Sequence, residues 1–211
     1  MGDCSPEVLA TSSDGEPVLS RTLLTFSNSD VIREVVVVTR PDLLEQVKEL
    51  CRNFGKVRTV VSGGDTRQES VRNGIAALSG EMELVAVQDG ARPLVSPEVI
   101  DRTVRAAHSY GAAAPAVPVK DTIKVEEGGL AVSTPDRSKL RAVQTPQVFD
   151  KDLLAGALMK AAKEKTAVTD DCSAVERLGV KVKLVEGDER NLKITTPIDL
   201  HVARLLLEEE K

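Results

Sequence analysis

The sequence predicts an α/β fold, a mostly parallel, doubly wound, Rossmann-like sheet with a protruding β-hairpin arm. Three observations carry this. Short β-branched runs alternate with stretches of helical spacing along 211 residues. Polar clusters, some rich in glycine, follow several strand runs. One segment alone breaks the alternation. Repeated β–α alternation implies parallel strands covered on both faces.

The elements follow in order. Residues 34–39 (EVVVVT) form a buried-strand run. Residues 41–55 have helical spacing, with Pro41 suited to a first turn and Gly55 to a stop. A second strand over 57–61 leads into a helix over 67–78. LVAVQ, residues 84–88, is a third strand. Ser96 caps the next helix, with Pro97 at its first position. Residues 112–117 read as another strand, and Thr196-Pro197-Ile198-Asp199 opens an amphipathic helix through residue 209. Within 120–140, two β-like halves flank Glu126-Glu127-Gly128-Gly129-Leu130, a hairpin signal. Such an arm either reaches another subunit or lies on its own body. With no internal repeat or linker, residues 1–211 are expected to form one domain with an arm at about 120–140.

Composition excludes several partners. A net charge of −5 argues against a nucleic-acid backbone, and one Tyr, three Phe and no Trp leave little for base stacking. The apolar runs are too short to cross a membrane. Three cysteines, Cys4, Cys51 and Cys172, have no zinc-site spacing, and their odd count suits a reducing compartment. A cytoplasmic enzyme or binding domain fits.

The stretch SGGDTRQESVRNGIAAL, residues 62–78, sets two glycines, an acid, an arginine and a serine where strand gives way to helix. Glycines there admit close approach of something flat or anionic, although an ordinary strand–turn–helix corner uses the same residues. Ligands of open parallel sheets bind at the carboxyl ends of strands. Three further clusters are assigned to such ends: Asp89-Gly90-Ala91-Arg92-Pro93, Thr145-Pro146-Gln147 and Asn191-Leu192-Lys193. Thr169-Asp170-Asp171 adds a helix start. Cations, hydroxyls and acids together suit a phosphorylated ligand with a metal counter-ion. His108 and His201 fall in helical stretches, which gives no support to a nucleophilic triad.

The set GGDTRQESVRNG, QDGARPLV, PVKDTIK, DRSKLRAVQTPQVF, TDDCSAVERLG and LVEGDERNLKITTPIDL resembles the 2-C-methyl-D-erythritol 4-phosphate cytidylyltransferases. The likeness runs in order from Gly15 to Leu206. It implies a nucleotidyltransferase-type fold and a reaction of CTP with a sugar-alcohol phosphate, releasing pyrophosphate, in isoprenoid precursor synthesis. Gly64, Asp65 and Ser70 would then read cytosine, with Arg67 supporting the loop and Ala91 on the CTP side. Asp89, Arg92 and Lys193 would face the reacting phosphates. Thr169 would bind the acceptor phosphate with its hydroxyl and the free N–H groups of the following helix. Thr122 and Arg137 would complete a neighbouring subunit's acceptor site, making a homodimer through the arm. Mg2+ would be held mainly through CTP phosphates, with no metal ligand assigned among the residues.

The sequence departs from the family in places. Gln88 stands where histidine is usual and Gly90 where alanine or serine is usual. The family's opening glycine-rich loop is not matched. The pattern begins inside it at Met1-Gly2 and Pro6, with Glu7 where a catalytic lysine is expected, and resumes over residues 14–19. A late start, a truncated chain or a degenerate homologue would each explain this, and impaired activity is the expectation. Two rival functions follow: a ribitol-5-phosphate cytidylyltransferase, and a nucleotide-binding or dimerising protein without catalysis. DRSKL and TDDCS resemble the methylerythritol branch.

Overall fold

A computed structural model describes residues 17–209. After α1 (Val18–Asn28), β1 (Val35–Thr39) runs as an unbroken β-branched segment, which suits a pleated, covered strand. A 3-10 turn at Pro41–Leu43 leads into α2 (Leu44–Cys51), and β2 (Val57–Ser62) pairs parallel to β1. The helix expected over residues 41–55 therefore starts as a tighter turn and stops before Gly55. Phe54 instead packs with Val57 on the cluster of Val37, Val47 and Val60, so the chain must leave the helix early.

Next come α3 (Arg67–Ala77), β3 (Leu84–Val87), α4 (Pro97–Tyr110) and β4 (Ala112–Pro118). Ser96 Oγ accepts the Val99 N–H, Pro97 occupies the first turn, and Gly111 closes α4 in the left-handed region at φ 77°. The arm is β5 (Val125–Glu127) and β6 (Leu130–Ser133), paired antiparallel around Gly128 and Gly129 at φ 59° and 84°. Two successive positive φ angles are what a tight hairpin turn demands of its central residues. Every residue of both arm strands is exposed, so the arm does not lie on its own body.

The chain then adds β7 (Arg141–Val143), β8 (Gln147–Asp150), α5 (Lys151–Lys163), α6 (Asp171–Glu176), β9 (Lys183–Glu186) and α7 (Pro197–Glu208). In the larger sheet, β3, β4 and β9 share one direction. β8 runs against them between β3 and β4, and β7 runs against β4.

Alternation along these strands separates two cores. Ala112, Ala114, Val85 and Phe149 face α5 and α6, with Leu154, Leu158 and Val175. Ala113 and Val148 face the other way, against Ala107 of α4. The sheet is thus covered on both faces. Among the described residues, no helix is long and apolar enough to cross a membrane.

Candidate active site

The loop between β2 and α3 is closed by its own side chains. Thr66 Oγ1 accepts the Glu69 N–H, and Glu69 returns its carboxylate to the Thr66 N–H. Ser70 Oγ accepts from the Gly64 N–H and donates to the Thr66 carbonyl. A Cβ on Gly64 would collide with the Glu69 Cβ, so only glycine permits this loop.

A second loop leaves β3 at Gln88. Asp89 Oδ2 lies 3.2 Å from Arg92 Nε and 3.3 Å from Lys193 Nζ, so one carboxylate stands between two cations. Burial works against the Arg92 charge and lowers its pKa, while Asp89 opposes that shift. The frame is extensive. The Asp89 N–H donates to Thr145 Oγ1, and Arg92 Nη1 donates to the Asn191 carbonyl at 2.6 Å. Fully buried Asn191 donates through Nδ2 to the Thr145 carbonyl. The Ile194 N–H donates to the Ala91 carbonyl, and the Thr22 hydroxyl of α1 holds the Gly90 carbonyl. Lys193 reaches Asp89 because these bonds bring the segment after β9 alongside the β3 loop.

A third loop leads into α6. Asp170 caps it by accepting the Ser173 N–H, and Gln147 Oε1 accepts both the Asp171 and Cys172 N–H groups. The expectation of free N–H groups at this helix start is therefore corrected, since neighbouring side chains have taken them. Thr169 remains exposed, its hydroxyl 3.4 Å from Ser173 Oγ. Asp171, fully buried, receives Arg67 Nη2 at 2.5 Å. Burial pushes the Asp171 carboxyl up, against the pull of Arg67. For Arg67, burial opposes the charge, but Asp171, Asp89 and Asp170 raise its pKa overall.

Gly64, Asp65, Arg67, Ser70, Asp89, Ala91 and Lys193 all line one cavity of about 580 Å3, a volume usual for small-ligand sites. Arg92 joins them through Asp89. Thr169 lies outside that lining, tied to it through the Arg67–Asp171 pair. Thr122 and Arg137 stand apart on the exposed arm segment, where Arg137 Nη1 donates to the Lys120 carbonyl. Thr145-Pro146-Gln147 follows the carboxyl end of β7 and enters β8, whose reversed direction also brings it beside the carboxyl end of β3. Sequence reasoning placed Gln147, Asn191 and Asp171 in polar clusters without individual roles, and it missed Thr22. Cys51 and Cys172 are buried, and burial pushes the Cys172 thiol up. Glu7 and the rest of the unmatched glycine-loop region lie outside the described residues.

The arrangement of glycine loop, two cations and one acid at adjoining loops suits phosphate-bearing substrates. Comparison with known proteins agrees. A family model described as 2-C-methyl-D-erythritol 4-phosphate cytidylyltransferase matches residues 6–209. The protein of that name from Caldanaerobacter subterraneus subsp. tengcongensis is 50% identical over 197 residues, covering 92% of this chain and 87% of the relative. That from Geobacillus kaustophilus is 46% identical over 195 residues, covering 92% and 85%. The crystal structure of the Thermus thermophilus protein of that name superposes with a TM-score of 0.83 at 36% identity, covering 98% and 96%. The 4-diphosphocytidyl-2C-methyl-D-erythritol synthase structure from Anaerococcus prevotii gives 0.85 at 35%, covering 92% and 87%. The fold is that of a nucleotidyltransferase. Within that class, the chain belongs to the 2-C-methyl-D-erythritol 4-phosphate cytidylyltransferase family.

Proposed function

We propose that this protein transfers the cytidylyl group of CTP to 2-C-methyl-D-erythritol 4-phosphate, in non-mevalonate isoprenoid precursor synthesis. The products are 4-diphosphocytidyl-2-C-methyl-D-erythritol and pyrophosphate. The observation that carries this reading is the Arg92–Asp89–Lys193 cluster, because Asp89 and Lys193 share a cavity with Gly64, Asp65 and Ser70. Cytosine packs against Gly64, with Asp65 and Ser70 at its polar edge and Ala91 on the same side. Its phosphates extend toward Arg92 and Lys193.

An oxygen of the acceptor phosphate attacks the α-phosphorus of CTP in line. The new P–O bond forms as the bond to pyrophosphate breaks, and that electron pair leaves with pyrophosphate. Arg92 and Lys193 meet the charge spread over the phosphorus oxygens, and no covalent enzyme intermediate is needed. Asp89, one carboxylate already facing two cations, fits a single ligand or a bound water of Mg2+. The ion would then be held mainly by CTP phosphates, neutralising their charge.

Thr169 takes the acceptor phosphate, completed by Thr122 and Arg137 of a second copy through the arm. Exposed Ile123, Val125, Leu130 and Val132 support an arm that packs on a homodimer partner. Glu7 in place of the family's lysine favours a second reading, CTP binding without transfer.

The test is the 211-residue chain with CTP, Mg2+ and methylerythritol phosphate, followed by detection of the cytidine-containing product. Product from methylerythritol phosphate, exceeding that from ribitol 5-phosphate by at least ~10-fold in specificity constant, supports transfer to the shorter acceptor. CTP binding with no product leaves the second reading. A preference for ribitol phosphate overturns the acceptor while keeping the chemistry.

A further inference from the structure

Two loops with different assigned substrates are joined directly. Arg67 is the first residue of α3, immediately after Gly64, Asp65 and Thr66. Asp171 is the first residue of α6, immediately after Thr169 and Asp170. Their side chains meet at 2.5 Å across 104 positions of sequence. A second strap runs beside the first: Gln68 Nε2 donates to the Thr166 carbonyl at 3.0 Å. The acceptor-side end is braced from below by Gln147, which accepts two α6 N–H groups and donates through Nε2 to Asp170 Oδ2.

The joint is only half closed. Arg67 Nη1 and Asp171 Oδ1 are buried and make no hydrogen bond among the described residues, although a guanidinium and a carboxylate can form two parallel ones. Buried polar atoms without partners favour any small displacement that pairs them. Turning the Arg67 fork toward Oδ1 would satisfy both groups and draw the two loops together. Beside the one-bond arrangement observed, the geometry leaves room for a two-bond one, and a ligand that orders either loop would bias the choice for both. A second ligand then meets a loop already ordered, and less ordering remains to oppose its binding.

We propose that the Arg67–Asp171 pair couples the two loops, so that CTP and the phosphorylated acceptor bind with positive cooperativity. Asp171 is thus a positioning residue acting through Arg67. The proposal rests on the substrate assignment above for the 63–70 and 169–173 loops. Such coupling is reciprocal: each ligand must tighten the other by the same factor.

The experiment is calorimetric titration of the full chain with α,β-methylene-CTP and with 2-C-methyl-D-erythritol 4-phosphate, each alone and in the presence of the other. The expected result is mutual tightening by roughly 5-fold or more, the lower end of usual coupling. Asp171→Asn should bring that factor to within about 2-fold of unity. Because this change could compromise folding, amide exchange in the unaltered chain supplies a second measurement. Adding the CTP analogue alone should slow exchange over residues 166–173.

Binding of both ligands with no mutual effect overturns the coupling and leaves the functional reading intact. So does an unchanged exchange rate over 166–173, or undiminished coupling in Asp171→Asn. Failure of either ligand to bind even in the presence of the other overturns the substrate assignment and the coupling together.

Discussion

Lys193 Nζ stands 3.3 Å from Asp89 Oδ2, the atom that also faces Arg92 Nε. One carboxylate oxygen therefore holds two cations from distant parts of the chain, leaving them poised for phosphate oxygens. Lys193 is 42% exposed and Arg92 only 12%, so Lys193 is the member of the pair free to follow a substrate. Replacing Lys193 with alanine should cost turnover far more than stability. A lost transition-state cation or donor lowers turnover by roughly 10²–10³-fold. The check is kcat for CTP and methylerythritol phosphate beside the thermal midpoint. A variant that melts early but turns over normally would assign Lys193 a structural part only.

Asn191 tests the frame rather than the chemistry. It is fully buried and supports Thr145 through its side chain and Arg92 through its carbonyl. Asn191→Leu removes the donor to Thr145 and leaves a buried carbonyl unsatisfied, costing about 1–3 kcal/mol. Urea unfolding should show a lower midpoint with an unchanged slope. Turnover should fall too, because the Arg92 support shifts with the residue. A midpoint equal to the parent's would mean that the pocket around Asn191 repacks freely.

Asp199 gives a pH dependence with a definite sign. Its carboxylate accepts from the Thr195 N–H and from the Thr196 hydroxyl and N–H, which hold its pKa below the usual 3.8. A depressed folded-state value means that the stabilisation is present above 3.8 and is lost as pH falls through the folded value. The start of α7 should therefore fray in acid below that point, read as faster amide exchange over residues 196–200. Asp199→Asn should show the weaker start already at neutral pH and no acid step there. The same acid step in the variant would assign it to another group.

Strand and helix alternation was legible because β-branched runs and caps act locally. The run of valines in β1, Ser96-Pro97 at α4 and Gly128-Gly129 in the arm each specify their own conformation. The direction of β8 was not. Four residues, QVFD, carry no signal of which way they run, and that reversal decides where Thr145 and Gln147 sit. Helix α1 escaped because serines and threonines interrupt its apolar stripe, yet its Thr22 steadies the Gly90 carbonyl. The Arg67–Asp171 contact spans 104 positions and depends on packing no local pattern encodes. At Thr169 the local rule misled: helix starts leave N–H groups free in general, but here Gln147 and Asp170 accept them.

The arm separates roles within one chain from roles across two. Arg137 lies outside the cavity that Lys193 lines, on a segment whose hairpin strands are wholly exposed. Among the described residues its guanidinium donates to the Lys120 carbonyl. If it serves a partner's acceptor site, Arg137→Ala and Lys193→Ala should each lose most turnover when prepared alone. Mixing them allows heterodimers in which the chain carrying Arg137→Ala still has its own Lys193. Its partner, altered at Lys193, still presents an intact Arg137. One of the two sites is then complete, and the mixture should regain up to half of the parent's rate per heterodimer. The other site carries both losses and contributes nothing. The measurement is turnover against mixing ratio, with subunit exchange verified by native mass spectrometry on differently tagged chains. Recovery that rises and falls with the heterodimer fraction follows only if the two residues act from different chains. No recovery despite verified exchange would place Arg137 in its own subunit's site or outside catalysis, and the exposed apolar face of the hairpin would then need another partner.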